Sequence, residues 1–141
     1  MSKLKNKVLD NFFLINSDSI IDINLNSFQL FHQRKKNDIT IAAASKSYDV
    51  PYGTCKIDSE GNLKSITEKP NFKFTVNTGL YLINRNVIQF IPKNKKMDMD
   101  KLISLLIKNG KKVKIFPIAD KNWNDVGEWN KYEKFRKKNK S

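Results

Sequence analysis

One cysteine and one histidine are all the thiol and imidazole ligands that this chain of 141 residues contains. Cys55 has no second thiol to bridge to, and with His32 as the single imidazole a structural zinc cluster is excluded. Long apolar runs are missing too. The densest, Phe12 to Ile15 and Leu80 to Ile83, fall far short of the roughly 20 residues that span a bilayer, so no membrane partner is expected. The opening Met-Ser-Lys-Leu-Lys-Asn-Lys is basic without the apolar core of a secretory signal, which makes the cytoplasm the expected compartment.

Arginine is scarce in a strongly basic chain. Lys and Arg together number 27 against 14 Asp and Glu, a net charge of +13, yet arginine occurs only at Arg34, Arg85 and Arg136. Readers of nucleic acid rely on arginine for bidentate contacts, and no recognition motif is present. The lysine excess, accompanied by many Asn and Ile, follows base composition, and a basic nucleic-acid-binding protein is only the third reading. Glycine is sparse as well: Gly53, Gly61, Gly79, Gly110 and Gly127 stand isolated.

What is present is ordinary globular material, 39% hydrophobic and 29% charged, which argues against wholesale disorder. The length suits one domain over residues 1–141 that buries roughly two thirds of its unfolded surface. The most informative stretch is residues 65–81. Glu68 and Lys69 end one extended segment, while Asn77, Thr78 and Gly79 open another that continues into Leu80, Tyr81, Leu82 and Ile83. A carboxylate accepts from hydroxyls and an ammonium meets a phosphate as a point charge, so the pair suits a phosphorylated sugar.

Along the chain, Asn11 to Asn16 reads as a buried strand that halts at Ser17-Asp18-Ser19. Ligands of open α/β sheets collect beyond the carboxyl ends of strands, so Asp18 either holds a cation or substrate there or caps a turn. Asn26 or Ser27 caps a helix to about Lys36 whose apolar side is Phe28, Leu30, Phe31 and His32, with His32 in a packing or surface role. Ile39 to Ala44 is a second strand, and strand, helix and strand make a βαβ unit. After the break at Val50-Pro51-Tyr52-Gly53, Thr54–Asp58 and Leu63–Thr67 form a hairpin that delivers Glu68 and Lys69. Tyr52 and Gly53 line a ligand pocket at its entrance or form only a turn.

The strand Thr78–Ile83 is followed by a short helix near Asn86–Ile91. A longer helix opens at Met97-Asp98-Met99-Asp100 and ends at Asn109-Gly110, with Leu102, Ile103, Leu105, Leu106 and Ile107 as its core side. Val113–Ile118 alternates as an edge-like strand because Pro117 donates no ladder bond. Trp123-Asn124-Asp125-Val126-Gly127 reads as a turn, in which Asp125 either caps a helix over about Glu128–Lys137 or supplies a second carboxylate for an ion at Asp18. Residues 137–141 read as a frayed tail.

Taken in order, Phe-Phe-Leu-Ile-Asn-Ser-Asp, Tyr-Gly, Glu-Lys-Pro, Asn-Thr-Gly-Leu-Tyr and Trp-Asn-Asp-Val-Gly resemble the sugar-1-phosphate nucleotidyltransferases, especially the mannose-1-phosphate guanylyltransferase-like branch. The resemblance covers residues 10–135. It implies an α/β fold, a partial doubly wound, Rossmann-like sheet, mixed and mostly parallel, flanked by helices. It also implies transfer of a nucleoside monophosphate, GMP in the favoured branch, from a nucleoside triphosphate to a sugar-1-phosphate. By likeness, Asp18 and Asp125 hold Mg²⁺, Glu68 takes sugar hydroxyls and Lys69 the sugar phosphate. Tyr52, Gly53, Asn77, Thr78 and Gly79 shape the sugar pocket. Ser17 stands where relatives usually carry Gly.

No segment matches the family's Gly-Gly-x-Gly-Thr-Arg-Leu loop, which cradles the triphosphate. The chain is therefore expected to be the back portion of a nucleotidyltransferase. It would be inactive alone, as a split module working with a companion chain or as a remnant that still binds a sugar phosphate. An exposed strand edge is expected to drive association with a partner or with itself.

Overall fold

The structure, a computed structural model, describes residues 10–127. The anticipated helix over Glu128–Lys137 and the tail lie outside them. In chain order the elements are β1 (Asn11–Ile15), β2 (Ser19–Ile21), α1 (Leu25–Lys35), β3 (Ile39–Asp49), β4 (Thr54–Ile57) and β5 (Leu63–Thr67). They continue with β6 (Asn71–Asn84), a 3₁₀ helix (Arg85–Phe90), α2 (Met99–Lys108), β7 (Val113–Ile118) and β8 (Trp123–Asp125). The main sheet has the order β1-β6-β3-β7, with β2–β8 and β4–β5 as separate two-stranded pairs.

This is the mixed α/β sheet that the sequence implies. β6 is antiparallel to β1 and β3, whereas β7 is parallel to β3, so three of the four strands run one way. The βαβ unit is realised with a strand inserted: β1 and β3 share a direction through α1, but β6 lies between them. Consequently the carboxyl ends of β1, β3 and β7 share one end of the sheet, and Asp18 follows β1 there.

Alternation divides the core between two faces. On one, Ile39, Ile41, Tyr81 and Ile83 pack with Val87 of the 3₁₀ helix and with Leu102 and Leu106 of α2. On the other, Ala42, Ala44, Leu80 and Leu82 pack with Phe28 of α1 and Ile118 of β7. Because side chains alternate along a strand, the unbroken apolar runs of β3 and β6 are buried on both faces. Each fully buried Leu or Phe contributes about 1.5–3 kcal/mol.

Several expected details are corrected. β1 is not a buried strand but an edge: Phe13 and Ile15 are 43% and 51% exposed, while Phe12 and Leu14 turn inward. Asn24, rather than Asn26 or Ser27, caps α1, its side chain accepting from the Ser27 backbone N–H at 2.9 Å. Leu30 is exposed and His32 is buried, because the packed side of α1 is set by the sheet beneath it. Only Leu102 and Leu106 are fully buried on α2, and Ile107 faces outward, since one helix covering one sheet face buries a narrow stripe. The short helix after β6 is a 3₁₀ helix, and β6 runs from Asn71 rather than from Thr78. Trp123–Asp125 is a strand rather than a turn. No helix among the described residues is long and apolar enough to cross a membrane.

Candidate functional site

Asp18 and Asp125, distant in sequence, are brought to one corner by the pairing of β2 with β8. Ser19 lies opposite Asp125 and Ile21 opposite Trp123. The ladder is extended by the Val126 N–H donating to the Asp18 carbonyl at 2.9 Å, and the Gly127 N–H donates to Asp125 Oδ1 at 3.0 Å. A Cβ on Gly127 would stand 2.9 Å from Asp18 Oδ2 and 3.3 Å from Asp125 Oδ1. The absence of a side chain at that position lets two exposed carboxylates approach one point. Such a pair repels itself in water and gains by sharing a cation.

β8 is tied to the main sheet from the β3 side. Trp123 packs against the cluster around Phe28. The Lys46 ammonium lies 5.2 Å from the centre of the Trp123 ring and forms an ion pair with Asp120. Both attachments precede Asp125 by a few residues, so they hold the strand that carries it.

The second group adjoins the first. Between the pairs Ile41–Tyr81 and Ala43–Asn77 the register shifts, and β6 bulges around Gly79, whose φ of +81° favours glycine. Asn77 holds the bulge from both sides: its Oδ1 accepts from the Gly79 N–H at 3.0 Å and its Nδ2 donates to the Tyr81 hydroxyl at 2.7 Å. Buried Thr78 donates to the Ala42 carbonyl at 2.8 Å. Asn77 and Thr78 thus shape the backbone at this position. The Gly79 carbonyl accepts from the Asn16 N–H at 3.0 Å, joining the bulge to the end of β1 two residues before Asp18.

Tyr52, Gly53, Glu68 and Lys69 form a third group at the foot of the β4–β5 hairpin. Thr54 pairs with Thr67, and the Glu68 carboxylate lies 2.9 Å from where a Gly53 Cβ would be. Tyr52 is 74% exposed. Lys69 adopts φ +41°, uncommon for a residue with a side chain, immediately before Pro70. This group is not packed against Asn77 and Gly79. The β3–β6 ladder continues from Ala43–Asn77 out to Asp49–Asn71, about 20 Å along an extended strand. That ribbon projects at the same end of the sheet as Asp18.

Sequence reasoning missed three contributors. Gly127 carried a signal, because an isolated glycine beside an acidic residue marks close approach. Asn16 and Lys46 carried none, since their placement depends on which strands meet. A cleft of about 340 Å³ lined by Asp22, Asn24, Phe116 and Asn122 lies beside β8 and includes none of the expected site residues.

Two carboxylates thus stand at the carboxyl end of a mixed α/β sheet, beside a glycine bulge. The chain matches the nucleotidyl transferase family model over residues 2–141 and belongs to that family. It is 30% identical over 82 residues to the mannose-1-phosphate guanylyltransferase catalytic subunit beta of Drosophila pseudoobscura pseudoobscura, covering 57% of this chain and 22% of that protein. It is 26% identical over 126 residues to the UTP--glucose-1-phosphate uridylyltransferase of Synechocystis, 84% of this chain and 32% of that one. Among solved structures, HddC from Yersinia pseudotuberculosis superposes with a TM-score of 0.66 at 23% identity, over 97% of this chain and 59% of HddC. At that identity the superposition speaks for the fold. The chain thus spans less than a third of the length of the two sequence relatives and 59% of HddC.

Proposed function

We propose that this chain forms the metal- and sugar-phosphate-holding part of an enzyme that transfers a nucleoside monophosphate to a sugar-1-phosphate. The observation that carries the reading is the approach of Asp18 and Asp125 across Gly127. Two carboxylates that leave coordination positions open to phosphate oxygens fit Mg²⁺, which seldom has an all-protein cage. When bound, that ion neutralises charge on the reacting phosphates. Asp18 and Asp125 are the residues that hold it.

In the reaction, a phosphate oxygen of the sugar-1-phosphate forms a bond to the α-phosphorus of the triphosphate. The bond to the β-phosphate bridging oxygen breaks, and its electron pair leaves with pyrophosphate. Alignment and charge neutralisation supply most of the rate. Asn77, Thr78 and Gly79 set the floor for the sugar through the bulge. At the foot of the hairpin, Glu68 would accept from sugar hydroxyls and Lys69 would meet the sugar phosphate, with Tyr52 and Gly53 forming the wall beside them. The left-handed backbone of Lys69 supports a functional role, since such conformations persist where surrounding structure or function holds them. GMP is the favoured group, in line with the guanylyltransferases among the relatives.

A glycine-rich triphosphate cradle is not found in the sequence, and a companion chain of different sequence would supply that part. The outer edge of β1, unpaired among the described residues and flanked by exposed Phe13 and Ile15, supports this association.

The test is calorimetric titration of the chain with mannose-1-phosphate and glucosamine-1-phosphate, then with GTP and Mg²⁺. Sugar-phosphate binding that is lost in Lys69→Ala, without triphosphate binding, supports a half-site. Pyrophosphate release by the chain alone overturns the need for a companion, and absence of all binding overturns the proposal.

A further inference from the structure

Asn16 lies between the two adjoining groups of the site and belongs to no established feature of it. Its backbone N–H donates to the Gly79 carbonyl at 3.0 Å and its carbonyl accepts from the Ser19 N–H at 3.3 Å. These bonds fix the residue at the turn from β1 into β2, between the bulge and Asp18. Its side chain covers the open face of Gly79: Nδ2 and Cγ are 2.6 and 2.7 Å from where a Cβ on that glycine would stand. The residue is nevertheless exposed, and its amide enters no side-chain hydrogen bond with the described residues.

The chemistry of the neighbours identifies what is missing. Asp18 and Asp125 are carboxylates and, when ionised, can only accept hydrogen bonds. The hydroxyl of Thr78 is committed to the Ala42 carbonyl, and the Asn77 amide uses its oxygen on the Gly79 N–H and one of its two N–H bonds on the Tyr81 hydroxyl. A phosphoryl group entering beside the carboxylate pair needs donors as well as a cation, and the Asn16 Nδ2 group has two N–H bonds with no partner assigned.

We propose that Asn16 is a substrate-contacting residue whose side-chain amide donates to a phosphoryl oxygen of the bound sugar-1-phosphate, at the junction of the bulge and the carboxylate pair. The inference rests on the sugar-phosphate reading above. It assigns the anion contact at this end of the sheet to a neutral donor, distinct from the Lys69 ammonium on the ribbon. Gly79 contributes indirectly, since any side chain there would displace the Asn16 amide.

The test follows the Asn16 side-chain amide by ¹⁵N nuclear magnetic resonance while inorganic phosphate, mannose and mannose-1-phosphate are added in turn with Mg²⁺ present. The amide resonance is expected to move with phosphate and mannose-1-phosphate and to stay in place with mannose. Asn16→Ala is expected to weaken mannose-1-phosphate binding by about tenfold, the scale of one hydrogen bond to a charged group. Asn16→Asp keeps the shape and replaces the donor by a like charge, so it is expected to weaken binding further. Wild-type affinity in Asn16→Asp, or resonances that shift at Gly79 and Lys69 but not at Asn16, overturns the assignment. Absence of any shift with mannose-1-phosphate across the whole site overturns the sugar-phosphate reading itself, and the assignment with it.

Discussion

The carboxylates of Asp18 and Asp125 share one glycine: a side-chain oxygen of each lies within 3.3 Å of the place where a Gly127 Cβ would be. β2 and β8 are three-residue strands, so the geometry depends on few contacts, and each is open to test.

Gly127→Ala places a methyl against the Asp18 carboxylate at 2.9 Å and forces one carboxylate aside. Titration with Mn²⁺ or Mg²⁺ is expected to show about a tenfold loss of affinity, comparable to removing one ligand in Asp18→Asn or Asp125→Asn. Unchanged affinity in all three variants removes the metal from this corner.

Gly79→Ala is expected to destabilise the fold by about 2 kcal/mol or more, because φ +81° disfavours a Cβ and the Asn16 amide occupies its space. Thr78→Val leaves the Ala42 carbonyl without its 2.8 Å donor and costs about 1–3 kcal/mol. Urea denaturation of both variants measures the two effects directly.

Lys69 separates stability from binding. Glycine relieves the positive φ, so Lys69→Gly is expected to raise unfolding stability by up to about 1 kcal/mol while losing sugar-phosphate affinity. A variant that binds as well as the wild type shows that the ammonium plays no part.

The stability of the chain is expected to fall as pH drops through about 6.5, the ordinary histidine value. His32 is buried, with Nδ1 2.8 Å from Thr40 Oγ1 and Nε2 3.2 Å from Asn11 Oδ1. Burial lowers its pKa, partly offset by the Asp38 carboxylate. The unfolded chain therefore takes up the proton first, so the stabilising contribution is complete above 6.5 and declines toward the lower folded value. Urea midpoints between pH 7.5 and 5 should decrease in the wild type and flatten in His32→Gln. Asp58 titrates outside this window: the Lys64 ammonium and then the Asn62 donors lower its carboxyl to about 2.

Sedimentation tests the edge of β1. Ile15→Lys places a charge beside the strand edge and is expected to shift any self-associated species toward monomer, since edge charges disfavour strand pairing. A monomeric wild type at all concentrations overturns self-association.

Much of the architecture was legible because it rests on local patterns. Val113–Ile118 declares itself through alternation and Pro117, the β4–β5 hairpin through its polar turn, and α2 through its apolar spacing and Asn109-Gly110. The motif residues were legible as types, through their carboxylates, glycines and ammonium groups. Their grouping was not. Ser19 faces Asp125 only because β2 pairs with β8, and Glu68 lies far along the ribbon from Asn77 only because β6 is one strand of 14 residues.

The sequence by itself determined where chain segments extend or coil, which residues carry charge, and which glycines permit close approach, since these follow from backbone sterics and side-chain periodicity. Tertiary structure alone decided that β6 enters antiparallel between β1 and β3, that β1 is an edge, and that Asn16 covers Gly79. Those outcomes depend on long-range pairing, in which burial on both sheet faces selects one register among many that local preference leaves equal.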